Sequence, residues 1–117
     1  MKKIYYLSSC DTCKRILKDL QPLDGFELQD IKTEAMTNAQ LNEMKTLSGS
    51  FEALFSKRAR LYKEKGLATK SLSEVDYKNL ILEHYTFLKR PVILFNNKIF
   101  IGNSKKVIET AKETIHS

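Results

Sequence analysis

The apolar positions of this chain change period along its length, and each change marks an element. Residues 3–7 form a short run rich in Ile and Tyr that reads as a β-strand, ended by Ser8 and Ser9. From residue 12 to 20 the period becomes helical: Ile16, Leu17 and Leu20 make one stripe, with Lys14, Arg15, Lys18 and Asp19 mostly off it. Pro22, Asp24 and Gly25 signal a turn. Phe26, Leu28 and, after a shift, Ile31 then mark a second strand over residues 26–31. Strand, helix and strand within about thirty residues is the length of a β-α-β unit with parallel strands.

Residues 33–85 are mostly helical in pattern. Thr37 followed by Gln40 is a capping box that starts a helix to about residue 47, with Leu41, Met44 and Leu47 apolar and Ser48-Gly49-Ser50 breaking it. Residues 51–65 predict helix in two pieces, stopped by Gly66. Ser73 and Asp76 start another helix, whose apolar face is expected at Val75, Leu80, Ile81 and Leu82. Two apolar runs then flank Asn96-Asn97, namely residues 92–95 and 98–101, and predict a β-hairpin. Ser104 caps a last helix with Val107, Ile108, Ala111 and Ile115 as its buried face. The order β-α-β, helical insert, β-β-α predicts an α/β fold: a four-stranded mixed sheet flanked by helices, with the insert between the second and third strands.

Composition narrows the function. At 117 residues the chain suits one domain, expected over 1–117, and 42% apolar with 29% charged residues is the balance of a soluble globular protein. No stretch approaches the ~20 apolar residues of a membrane span, and the first seven residues are too short for a signal peptide. A cytoplasmic protein without membrane contact is expected. The formal charge of +6 could serve an acidic partner or an anionic substrate. The basic residues are spread along the chain, however, and no zinc-finger spacing, phosphate loop or aromatic RNA-binding motif accompanies them, so direct nucleic-acid binding is not expected. His84 and His116 lack ligand spacing, and no metal site is expected.

The chemistry concentrates at Cys10-Asp11-Thr12-Cys13. Cys10 falls between the end of the first strand and the start of the first helix, where free N–H groups and the positive helix end favour a thiolate. Cys13 lies one turn along, within reach of an adduct on Cys10. In this arrangement Cys10 attacks and Cys13 resolves; two ordinary small core residues is the alternative. Arg90-Pro91 opens the third strand and could stand at the strand ends near Cys10, or be a solvated loop arginine. Lys57-Arg58-Ala59-Arg60 offers guanidinium forks suited to an oxyanion, or a solvated helix face.

Taken together, Ile4-Tyr5-Tyr6, Cys10-Asp11-Thr12-Cys13-Lys14, Phe55-Ser56-Lys57-Arg58, Leu88-Lys89-Arg90-Pro91-Val92-Ile93 and Ile101-Gly102-Asn103 resemble the ArsC/Spx family, over residues 3–114. That family contains glutaredoxin-coupled arsenate reductases and the redox-sensing transcription regulator Spx. The resemblance implies a thioredoxin-like fold with a helical insert, Cys10 as nucleophile, Arg58 and Arg90 as anion-binding residues, and Pro91 in a cis peptide facing the cysteine. It implies no bound cofactor, with glutathione, glutaredoxin or thioredoxin as electron donor. Three departures bear on substrate. The arsenate reductases proper carry a third arginine after the last strand, where this chain reads Gly102-Asn103-Ser104-Lys105-Lys106. They carry a histidine where this chain has Tyr6, and the second cysteine, Cys13, is not typical of them but is similar to Spx. Two readings follow: a thiol-dependent oxidoreductase on a small oxyanion or a disulfide, or an Spx-like redox switch read by RNA polymerase. Spx proteins typically carry a longer C-terminal tail.

Overall fold

The computed structural model describes residues 1–117. They form two compact lobes, one made of residues 1–34 and 90–117 and the other of residues 35–89.

The first lobe is built on a four-stranded sheet. Its strands are β1 (Lys2–Tyr6), β2 (Glu27–Asp30), β3 (Val92–Phe95) and β4 (Lys98–Ile101), in the order β2-β1-β3-β4. β1 runs parallel to β2, with Tyr6 opposite Asp30, and antiparallel to β3, with Ile4 opposite Ile93. β3 and β4 form the hairpin expected from the Asn-Asn turn. Asn96 takes the left-handed conformation there, at φ 56°, which asparagine tolerates better than most residues. Two helices flank the sheet, α1 (Asp11–Asp19) and α5 (Lys105–His116).

Alternation along the strands decides what is buried. Ile4 of β1 and Ile93 of β3 join Ile16 and Leu20 from α1 and its cap, and Ile108 and Ala111 of α5, in one cluster. Both helices therefore cover the same face of the sheet. Each fully buried aliphatic side chain there contributes about 1.5–3 kcal/mol. Tyr5, Val92 and Leu94 alternate to the other face and are also buried. Lys3 is buried beside Tyr5, with its ammonium 3.3 Å from the Glu27 carboxylate and 5.1 Å from the Tyr5 ring centre. At the far end of the helices Lys112 pairs with Asp19 at 3.1 Å.

The second lobe contains α2 (Asn38–Ser48), α3 (Arg60–Glu64) and α4 (Glu74–Glu83), joined by 3-10 turns at Glu52–Leu54, Leu67–Thr69 and Tyr85–Phe87. Both capping boxes form: Thr37 with Gln40 starts α2, and Ser73 with Asp76 starts α4. Gly49 ends α2 at φ 95°, a conformation open to glycine. The Glu74 carboxylate accepts the N–H groups of Phe51 and Glu52 at 2.7 and 3.1 Å, so the first turn of α4 closes the 3-10 turn at 52–54. Phe55 packs with Tyr77, Phe87 and Tyr62, ring centres 4.8, 5.2 and 5.8 Å apart.

Several expectations need correction. Residues 51–65 hold the two expected pieces, but both are short and the first is a 3-10 turn, Glu52–Leu54, ahead of α3. On α4, Val75 is 63% and Leu82 38% exposed, while Tyr77 and Ile81 are buried. The inward stripe is therefore i, i+4 from Tyr77, an amphipathic tyrosine that hydropathy alone undervalues. In β2 the buried residue is Gln29, not Leu28, which is 45% exposed. The Gln29 side-chain amide donates to the Glu34 carbonyl at 3.1 Å, and that bond offsets its burial. Besides Arg90–Pro91, the Gln21–Pro22 peptide is also cis.

Candidate active site

The two cysteines sit where β1 gives way to α1. A turn closes over residues 7–10, with the Cys10 N–H donating to the Leu7 carbonyl at 3.0 Å. This sets Cys10 at the N-cap of α1 in extended conformation, φ −99° and ψ 111°. Serine, threonine or aspartate at such a position would spend its side chain on the first-turn amides. The Cys10 sulfur closes no capping bond of ordinary geometry, yet the N–H groups of Cys13 and Thr12 face it and stabilise negative charge there. Asp11 adds a carboxylate to the first turn.

The two thiols are free, Cys10 half-buried and Cys13 fully buried. Their acidities part. Burial opposes ionisation of Cys10, but the Cys13 N–H, the Cys13 thiol, the Arg90 guanidinium and the Thr12 N–H outweigh it, and the pKa falls below the ordinary thiol value. For Cys13 burial is again the largest influence. Together with the neighbouring Cys10 charge and hydrogen bond, it prevails over the Leu7 N–H and Arg90 and pushes the thiol up to about 11. The pair therefore sets a more acidic sulfur at Cys10 beside one at Cys13 that keeps its proton at neutral pH.

Arg90 is half-buried just ahead of β3, and its charge acts on both cysteines. The Arg90–Pro91 peptide is cis, Pro91 is buried, and its carbonyl accepts the Gly102 N–H at 2.9 Å. Cys10, Cys13 and Arg90 thus meet within the first lobe. Arg58 belongs to the second lobe, where it is exposed in the turn leading to α3. Lys57 beside it is held to Glu52 at 3.4 Å, and Glu52 also accepts the Tyr77 hydroxyl at 3.3 Å.

Asp30 has no counterpart in the sequence reading. It ends β2, next to Tyr6, and one of its carboxylate oxygens accepts the Ser8 N–H and the Lys32 N–H, each at 3.2 Å. Hydrogen bonding from the Ser8 hydroxyl is the largest influence on Asp30 and, with the Ser8 and Lys32 amides, holds its pKa below the usual carboxylate value. The signal available beforehand was positional: a carboxylate at the C-terminal end of the strand parallel to β1 can reach the loop leaving β1.

No helix is long and apolar enough to cross a membrane. An uncharacterized protein of Haemophilus influenzae is 28% identical over 113 residues, 95% of this chain and 98% of its own. A solved protein of Yersinia pestis shares the fold at a TM-score of 0.79 and 17% identity, covering 97% of this chain and 99% of its own. Arsenate reductase from Vibrio cholerae superposes at 0.73 with 22% identity, over 96% of this chain and 95% of its own. The sequence pattern of the ArsC family matches residues 5–111, which takes in the cysteine pair, the second lobe, Arg90-Pro91 and most of α5, and by that match the chain belongs to the ArsC family.

Proposed function

We propose that this protein is a thiol-dependent oxidoreductase of the arsenate reductase type, with Cys10 as nucleophile and Arg90 and Arg58 as anion-binding residues. The observation that carries the reading is the half-exposed Cys10 at the α1 N-cap, acidified beside Arg90. Membership in the ArsC family supports it.

On a mixed disulfide, the Cys10 thiolate attacks one sulfur, breaks the S–S bond and expels the other sulfur as a thiolate that takes up a proton. The Cys13 thiol then gives up its proton and attacks the Cys10 sulfur. A Cys10–Cys13 disulfide forms and the substrate thiol leaves, or glutathione takes the place of Cys13. Two electrons from two glutathione molecules, or from a glutaredoxin or thioredoxin dithiol, restore both thiols. On an oxyanion, the guanidinium of Arg90 neutralises charge on the oxygens while Cys10 attacks the central atom and a protonated oxygen leaves as water. Glutathione then adds with loss of a second water, and a glutaredoxin thiol takes it off as a mixed disulfide, which leaves two electrons on the centre. Arg58 is assigned the same task by the family resemblance. Tyr6 and the absence of an arginine over residues 102–106 favour disulfide over arsenate as substrate.

The test is NADPH-coupled turnover with glutathione plus glutaredoxin, and with thioredoxin, on arsenate and on a glutathione mixed disulfide. Turnover that disappears in Cys10→Ser is expected. A wild-type protein inert on both substrates with both donors overturns the proposal. The second cysteine supports one other reading, an Spx-like switch: an inert protein that captures an RNA polymerase subunit only when oxidised would establish it.

A further inference from the structure

Cys10 owes its surroundings to a turn of four residues, and Asp30 of β2 anchors that turn from outside. Ser8 is the second residue of the turn that Cys10 closes onto Leu7. Its N–H donates to Asp30 across the parallel pair, one step beyond the Ile31 N–H to Tyr6 carbonyl bond of 2.9 Å that extends the pairing. The same Asp30 oxygen accepts the Lys32 N–H, and the Asp30 carbonyl accepts the amides of Thr33 and Glu34 at 3.2 and 2.8 Å. Asp30 is therefore itself held by the turn that follows β2. One carboxylate thus joins the end of β2 to the loop that ends β1.

We propose that Asp30 is a positioning residue for Cys10: its carboxylate fixes the turn over residues 7–10 so that the Cys10 sulfur stays against the first-turn amides of α1. The inference rests on Cys10 being the nucleophile and names the group that makes it effective. The alternative role for a nearby carboxylate is purely electrostatic, and it has the opposite sign. A negative charge close to a thiol disfavours the thiolate, so a carboxylate acting only through charge would leave Cys10 more acidic when removed. A carboxylate that positions leaves Cys10 less acidic when its acceptor is withdrawn. The two substitutions that separate these effects are Asp30→Asn, which keeps an oxygen to accept from Ser8 but loses the charge, and Asp30→Ala, which loses both.

The experiment measures the rate of Cys10 alkylation by iodoacetamide against pH, in the full chain, with the modified residue identified by mass spectrometry and folding checked by circular dichroism. In Asp30→Ala the midpoint is expected to rise by about one unit, which below the midpoint means about tenfold less thiolate, while Asp30→Asn stays near wild type. If Asp30→Ala does not fold, Asp30→Ser takes its place: it is polar but too short to reach Ser8. An unchanged midpoint in Asp30→Ala, or a fall in both variants, overturns the proposal, and so does an equal rise in Asp30→Asn. A wild-type midpoint no lower than the ~8.5 of a free cysteine is a separate result, and it removes the nucleophile reading itself.

Discussion

The Cys13 thiol hydrogen-bonds the Cys10 sulfur, and the two titrate in opposite directions, Cys10 downward and Cys13 up to about 11. The buried member keeps its proton and lends it to the exposed one. Replacing Cys13 by Ala removes that donor and leaves the backbone N–H at the same position. The alkylation midpoint of Cys10 should rise in Cys13→Ala, and iodoacetamide kinetics from pH 4 to 10 would show it. An unmoved midpoint would mean that the backbone amides and Arg90 acidify Cys10 without the Cys13 thiol.

Arg90 is the one cation among the groups that lower Cys10. Arg90→Ala is expected to raise the Cys10 midpoint, and Arg90→Lys to restore part of the difference, because the charge returns without the planar fork. On an oxyanion substrate KM should suffer in both variants. Parallel alkylation and steady-state kinetics separate the effect on the thiolate from the effect on binding.

Stability should fall at alkaline pH through Cys13. Its folded pKa is raised, so its contribution is complete below the unfolded thiol value of ~8.5 and is lost as pH climbs to about 11. Urea midpoints measured between pH 8 and 11 should decline in the wild type and decline less in Cys13→Ser, whose hydroxyl does not titrate in that range. Equal slopes would refute the assignment.

In the second lobe, Thr37→Ala should cost ~1 kcal/mol through loss of the α2 cap, and Val75→Ser should change stability by less than ~0.5 kcal/mol because Val75 faces solvent. In the first lobe, Ile93→Ala should cost about 2–5 kcal/mol by opening a cavity between the sheet and the two helices. Urea denaturation of the three variants ranks them. A Val75→Ser penalty as large as that of Ile93→Ala would contradict the placement of α4.

What could be read from the chain was what local chemistry determines. β3 and β4 carry continuous apolar runs around Asn96-Asn97, and their bounds match expectation. The starts of α2 and α4 are spelled out by Thr37 with Gln40 and Ser73 with Asp76. The same logic put Cys10 between the first strand and the first helix; α1 starts at Asp11, one residue earlier than expected, and this makes Cys10 its N-cap. What stayed hidden depends on partners distant in sequence. Gln29 is inside only because the Glu34 carbonyl meets its amide. Val75 and Leu82 are outside because Tyr77 and Ile81 occupy the inward face. Asp30 matters only through a turn 22 residues earlier in the chain.

The second lobe is inserted between β2 and β3, the two neighbours of β1 in the sheet. During synthesis β1 can pair with β2 once residue 30 has emerged, but its other edge stays open until residue 95 has been made. At roughly 5–20 residues per second that interval lasts about 3 to 13 seconds. Arg90 arrives with the strand that ends it. A nascent chain therefore carries its cysteines for most of its synthesis without the cation that favours the Cys10 thiolate, and gains that acidity only as the sheet closes.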